Sequence, residues 1–166
     1  DSRQFYKELK VGTAPPTAKQ LSEIKHYFIA TKSIQDYYNS YIFEQEALVV
    51  LRQLFLNKKF VLMVGGSGLY IDAICNGIDD IPDTSPELRD SLMKTYENEG
   101  IESLRFQLKR IDPLYYSQVD IKNHKRIIRA LEVCYQTGKT YSELRKNKKQ
   151  TREFGIIKIG LELPRD

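Results

Sequence analysis

Apolar residues recur at two spacings along the chain, and the switch between them sets its organisation. Phe43, Ala47, Val50, Leu51, Leu54 and Phe55 fall at intervals of three and four. That spacing predicts a helix opening at Asn39 or Ser40, running to about Leu56 and laying one face on a sheet. Beyond Asn57-Lys58-Lys59 the period is lost. Phe60-Val61-Leu62-Met63-Val64 is a continuous apolar run of the kind a buried strand carries. It stops at Gly65-Gly66-Ser67-Gly68, and Leu69, Ile71, Ala73 and Ile74 resume helical spacing as far as Asn76-Gly77. Helix, buried strand, glycine turn, helix is α/β organisation with parallel strands. Upstream, Asp1 and Ser2 read as a strand end and Gly12-Thr13-Ala14-Pro15-Pro16-Thr17 as a loop. Thr17 is placed to cap a helix from Ala18 to Ile24, and His26-Tyr27-Phe28-Ile29 is a short strand candidate.

Asp79-Asp80-Ile81-Pro82-Asp83 breaks the pattern, and the chain beyond it is helical to about Thr151. Thr84-Ser85-Pro86-Glu87 starts a helix, either through a Thr84/Glu87 capping box or with Ser85 as cap and Pro86 at the first position. Leu88, Leu92 and Tyr96 form its apolar face and Gly100 ends it; Leu104, Leu108 and Ile111 line the next helix, which Asp112-Pro113 stops. Asn123 caps a third helix with Ile127, Ile128, Leu131 and Cys134 inward and Gly138 as its stop. Thr140 with Glu143 makes another capping box, and residues 155–163, Gly155 to Leu163, return to strand character. The expected plan is an α/β core from 1–83 and 152–166, interrupted by an all-helical insertion, 84–151. No internal repeat or low-complexity tract interrupts this order.

Composition narrows the partners. Hydrophobic residues make up 41% of 166, enough for a core, and no apolar run approaches membrane-span length. No signal peptide is visible, and the chain, beginning at Asp1 without methionine, reads as a piece of a longer protein. Cys75 and Cys134 fit no metal-ligand spacing, with only His26 and His124 to help; reduced thiols in the cytoplasm are expected. Net charge is +4, unevenly spread: Lys122 to Arg152 carries ten Lys/Arg against Glu132 and Glu143, a balance of +8, leaving −4 elsewhere. A basic segment on an acidic body suits a polyanion touching one region, although a solvated basic face would look the same.

Chemistry has few places to sit. The glycine turn ends a strand and opens a helix, where backbone N–H groups can meet a ligand, but it lacks the Gly-Lys-[Ser/Thr] ending of a nucleotide-binding phosphate loop. A tight turn that only packs remains open on these residues alone. Asp1 offers a carboxylate at a strand end. Lys122, Arg126 and Arg129 fall at i, i+4 and i+7, with Lys125 to Arg129 another i, i+4 pair, opposite the apolar stripe; fixed cations in that geometry suit phosphates. Arg145, Lys146, Lys148, Lys149 and Arg152 extend the charge in a segment expected to be mobile.

Four motifs in order resemble the tRNA dimethylallyltransferase (tRNA isopentenyltransferase) family: Asp1-Ser2-Arg3-Gln4-Phe5-Tyr6, Gly12-Thr13-Ala14, Val64-Gly65-Gly66-Ser67-Gly68-Leu69-Tyr70, and Arg126-Ile127-Ile128-Arg129-Ala130-Leu131-Glu132-Val133. The likeness runs from Asp1 to Arg165. It implies a P-loop NTPase-like parallel-sheet core, incomplete in this chain, with a helical insertion gripping the tRNA anticodon stem-loop. It also implies transfer of a dimethylallyl group from dimethylallyl diphosphate to the exocyclic amine of the adenine 3′ of the anticodon. Carried across position by position, Asp1 corresponds to the general base, and Asp1, Ser2, Arg3 and Gln4 to the segment holding the flipped adenine. Ser67, where the family usually has Thr, Arg89, and Lys125, Arg126, Ile127, Ile128 and Arg129 correspond to tRNA contacts. The glycine turn then becomes the wall of a reaction channel facing the tRNA.

The resemblance implies Mg²⁺ in the full-length enzyme, with ligands expected mainly outside this chain. No cofactor-binding residue and no metal ligand is expected within it. A monomer without membrane association is expected. Pro15 stands where the family often has Lys and Lys25 where it often has Pro, so one cation near the entrance is missing or supplied elsewhere. The family's phosphate loop and a catalytic Arg correspond to positions before Asp1 and after Arg165, so this piece alone is expected to be inactive. Three alternatives stay open at this point: another P-loop enzyme such as a nucleotide kinase, a prenyltransferase of free adenine nucleotides, and a non-enzymatic RNA-binding module.

Overall fold

The computed structural model describes residues 1–146 and 149–162. Lys148, Leu163 and Arg165 lie outside the described residues. The chain divides into two compact units, Asp1–Ile78 with Lys149–Asp166, and Asp79–Lys148.

The first unit is built on aromatic packing. A single 3₁₀ turn, Ser2–Phe5, is followed by α1 (Ala18–Glu23), α2 (Ser40–Phe55) and α3 (Gly68–Asn76). Thr17 and Gln20 close a capping box on α1, and the Asn39 side chain caps α2 by accepting from the Ile42 N–H at 2.9 Å. Phe43 and Ala47 of α2 bury against Phe5 and Ile74. The Phe5 ring meets Phe43, Tyr70, Tyr38 and Phe28 at centroid separations of 5.2, 5.4, 5.5 and 6.2 Å. Such edge and offset contacts add to what area burial supplies. Gly77, at φ 82°, stops α3 in a conformation that favours glycine.

No β-sheet forms among the described residues, whose single bridge pairs Tyr6 with Lys32 in parallel. The strand expected at 60–64 is therefore unpaired among the described residues. Phe60, Leu62 and Val64 are more than four-fifths exposed, at 85%, 84% and 81%. A strand is stable only when a neighbour takes its backbone N–H and C=O groups, and no such backbone pairing is made to this run among the described residues. The same reason applies to Gly155–Glu162, where Ile157, Ile159 and Leu161 are 84–97% exposed. Asp1 caps the 3₁₀ turn that Ser2 opens, and His26–Ile29 is a bent loop, not a strand, in which Phe28 takes φ 62°.

The second unit is all helix: α4 (Pro86–Glu99), α5 (Ile101–Ile111), α6 (Pro113–Tyr116), α7 (His124–Thr137) and α8 (Tyr141–Leu144). Its core joins Leu92, Leu104, Leu108, Tyr115, Ile127, Ile128, Ala130 and Leu131. Ser85, not Thr84, caps α4, with Pro86 at the first position; Gly138 ends α7 in the left-handed region. Asp112 stops α5 as expected but also caps α6. Its buried carboxylate accepts from Tyr115 N–H at 2.9 Å and from the Ser142 N–H and hydroxyl at 2.8 Å, tying α6 to α8. No described helix is long and apolar enough to cross a membrane.

Candidate active site and basic face

The N-terminal residues and the glycine turn converge within the first unit. Asp1 caps the 3₁₀ turn by accepting from the Arg3 N–H at 2.9 Å. The Arg3 guanidinium folds back on the same carboxylate, Nη2 donating to Oδ2 at 2.6 Å and Nε to the two oxygens at 3.2 and 3.1 Å. Asp1 is therefore preoriented but engaged, with a third of its side chain accessible. To take a proton from a substrate, one of its oxygens must pass from Arg3 to the incoming donor. Gln4 works inward: its Nε2 donates to the Thr13 and Ala14 carbonyls, each at 2.8 Å, fixing the loop that holds Ala14 at φ 47°. A non-glycine residue keeps that backbone only where its surroundings over-determine it.

Ser67 links the turn to this segment. Its Oγ accepts the Ser2 N–H at 2.9 Å and donates to the Ser2 hydroxyl at 3.2 Å, so it sits at the N-cap of α3 without capping it. A Cβ added at Gly66 or Gly68 would meet nothing within 4 Å, and at Gly65 only the Asp1 nitrogen at 3.8 Å. None of these three has positive φ. Neither backbone conformation nor packing among the described residues demands glycine there, and the open turn adjoins Asp1 and Ser2. Behind the site, burial pushes the Tyr70 phenol up, and burial together with the hydrogen bond to Glu46 does the same to Tyr38. Both stay neutral and belong to the aromatic packing.

The basic residues of the second unit separate into kinds. Lys125 and Arg126 are exposed on the first turn of α7. Lys122 lies in the turn before the Asn123 cap, its N–H bonded to Asp120 at 3.0 Å, so it does not share the helix with them as the spacing suggested. Ile127 and Ile128 are 0% and 3% exposed and pack in the core. Arg89 of α4 and Arg129 of α7 both reach Glu132, a carboxylate with no exposed surface: Arg89 Nε to Oε1 at 2.6 Å, Arg129 Nη1 to Oε2 at 3.7 Å. Arg145 stacks near Tyr115, 5.9 Å from the ring centroid.

Arg152 departs most from its expected place in a mobile basic segment. It is 7% exposed and paired with buried Glu44, while Nε and Nη2 donate to the Ile74 and Ala73 carbonyls at 2.7 and 2.6 Å. Its cation closes the C-terminal end of α3, where unpaired carbonyls and the helix dipole favour positive charge. Sequence reasoning missed both Glu44 and Glu132. The available signal was a glutamate within an apolar helical stretch, Glu132 between Leu131 and Val133.

Cys75 and Cys134 are not disulfide-bonded, and burial raises the Cys134 thiol. Among the described residues no three His, Cys, Asp or Glu side chains group closely enough to hold a metal ion.

The model for the IPP transferase family matches residues 4–166. The chain is 52% identical over 161 residues to tRNA dimethylallyltransferase 1 of Bacteroides fragilis, covering 97% of this chain and 54% of that protein. It is 50% identical over 165 residues to tRNA dimethylallyltransferase 2 of Azobacteroides pseudotrichonymphae, covering 99% and 54%. The solved tRNA isopentenylpyrophosphate transferase of Bacillus halodurans is 28% identical, with a TM-score of 0.44 over 86% of this chain and 47% of that one. The chain thus spans about half the length of the curated relatives it matches. With a family match over nearly every residue and half of all aligned positions identical to curated relatives, the chain belongs to the IPP transferase family.

Proposed function

We propose that the protein carrying this chain transfers a dimethylallyl group from dimethylallyl diphosphate to the exocyclic amine of the adenine 3′ of the anticodon in tRNA. Family membership supports the reaction, and the observation that carries it to these residues is the meeting of Asp1, Ser2 and Ser67 beside an open glycine turn. In the reaction the adenine nitrogen forms a bond to the terminal allylic carbon as the carbon–oxygen bond to diphosphate breaks. Diphosphate leaves with the electron pair, and the amine proton passes to Asp1. A neutral aryl amine is a weak nucleophile, so a positioned carboxylate is worth about 10²–10⁴ in rate. The base must leave its stack to be reached. Ser2, Arg3, Gln4 and Ser67 would border its pocket, while Arg89, Lys125, Arg126 and Arg129 meet the RNA backbone. Ile127 and Ile128, with core-packed side chains, then serve by orienting α7.

The reading includes a P-loop-type parallel sheet to which Phe60–Val64 contributes a strand, with its partners in the remainder of the protein. It also sets the work in the cytoplasm, where tRNA is modified. Magnesium does not fit the donors of the described residues: both Asp1 oxygens are engaged by Arg3, and no three His, Cys, Asp or Glu side chains group closely enough to hold it. Its ligands would lie in the remainder, and no step here runs through it.

Asp1→Asn in the full-length protein tests the assignment, since asparagine retains an oxygen to cap Ser2–Phe5 but cannot take the proton. Transfer to an anticodon stem-loop RNA is expected to fall about 10²–10⁴-fold with RNA affinity nearly unchanged. Near-normal turnover would remove Asp1 as the base.

A further inference from the structure

We infer that Glu132 is a positioning residue for RNA binding: buried beneath α4 and α7, it fixes the Arg89 and Arg129 guanidinium groups as one rigid cationic pair for phosphate. The inference rests on the tRNA reading above and adds a residue that makes no RNA contact itself. Glu132 has no exposed surface, whereas the Arg89 and Arg129 side chains that grip it are 58% and 32% exposed. Arg89 approaches from α4 through Nε at 2.6 Å and Nη2 at 3.3 Å. Thr84 joins the cluster from the chain before α4, its hydroxyl donating to Glu132 Oε2 and accepting from Arg129 Nη1, both at 3.1 Å. Arg129 Nη2 donates to the Pro82 carbonyl at 3.2 Å, so its plane is set from two sides.

Two features separate this cluster from an ion pair that merely joins helices. Two cations, one from each helix, share a single carboxylate. Those cations also sit at the exposed end and the carboxylate at the buried end. Long arginine side chains normally lose rotamer freedom on binding a phosphate, and a prior anchor removes that loss before RNA arrives. Lys125 and Arg126, exposed on the first turn of α7, extend the same cationic run.

The experiment uses full-length protein, an anticodon stem-loop RNA, affinities from 50 to 200 mM salt, and steady-state kinetics. Glu132→Gln keeps the shape and removes the charge. It is expected to raise the KM for RNA roughly fivefold with kcat little changed, and to lower the salt slope by about one. In an Arg89→Ala/Arg129→Ala background, where Glu132 is left buried without its cations, the same change is expected to have no further effect on RNA and to leave the melting temperature equal or higher. Should Glu132→Gln fail to fold, Thr84→Val, which cuts the hydroxyl link without altering charge, is expected to raise KM in the same direction. RNA affinity and salt slope equal to wild type in a folded Glu132→Gln or Thr84→Val protein overturns the inference. So does a loss of RNA affinity that persists undiminished without the two arginines. Wild-type protein that does not bind the stem-loop overturns instead the functional reading on which it rests.

Discussion

Arg152 shows how little a charge's position in sequence says about its surroundings. It ends the most basic stretch of the chain, where solvation is the ordinary outcome, yet its guanidinium lies under the surface between Glu44 and the last carbonyls of α3. Burying two opposite charges is costly, and the pair stays because nearly every polar atom has a partner; Glu44 also accepts the Ile78 N–H at 3.2 Å. Removing one member leaves the other charged and unpaired. Arg152→Met is therefore expected to destabilise the first unit by about 3–5 kcal/mol. Glu44→Leu together with Arg152→Met should recover most of that loss, because a dry apolar pair leaves no stranded charge. Urea denaturation followed by circular dichroism checks both, and an Arg152→Met protein as stable as wild type would show that the pair holds nothing. Asp1 offers the opposite lesson. Its carboxylate stood out in the sequence, whereas its N-cap bond to Arg3, the Arg3 clasp on both oxygens and the Ser2–Ser67 bond across 65 residues required the fold.

At the scale of elements, helices were legible where their ends and faces are local. Asn39, Asn123 and Gly138 occupy the caps their chemistry suits, and the α7 stripe of Ile127, Leu131 and Cys134 is buried as its spacing demanded. The four-residue α6 was invisible, since Asp112-Pro113 signals an end as readily as a beginning and no periodicity fits in one turn. Strands depend on a different kind of information. Phe60–Val64 has the composition of one, but a strand exists through its neighbours, and spacing along one segment cannot supply them. The two faces of α7 make the contrast measurable. Leu131→Ala, at a position with no exposure, is expected to cost about 2–5 kcal/mol of stability in the helical unit. Arg126→Ala on the exposed face should leave stability within about 0.5 kcal/mol. In the full-length protein it should weaken RNA binding and reduce its salt dependence. Thermal melts paired with RNA titrations separate the two, and a large stability loss from Arg126→Ala would contradict the division.

For the whole molecule, the segments of strand character left unpaired among the described residues are the most informative. Phe60, Leu62 and Val64, and again Ile157, Ile159 and Leu161, are exposed at alternate positions, the period a strand uses to present one face. Such residues rarely remain in water on a finished surface, and a flat apolar edge invites pairing with another chain. The sheet proposed above would supply the cover, completed by residues outside this chain, which spans about half the length of the relatives it matches. The 166-residue chain alone is then expected to bind an apolar dye and to self-associate as its concentration rises, while the full-length protein does neither. Leu62→Lys with Ile159→Lys should suppress association of the short chain. The same pair should destabilise the full-length protein by at least about 3 kcal/mol, since each leucine or isoleucine would exchange a buried site for a charge. Sedimentation of the short chain and denaturation of the long one give the two halves of the test. If the lysines leave full-length stability intact, these segments are surface in the complete protein, and the sheet assigned to them is wrong.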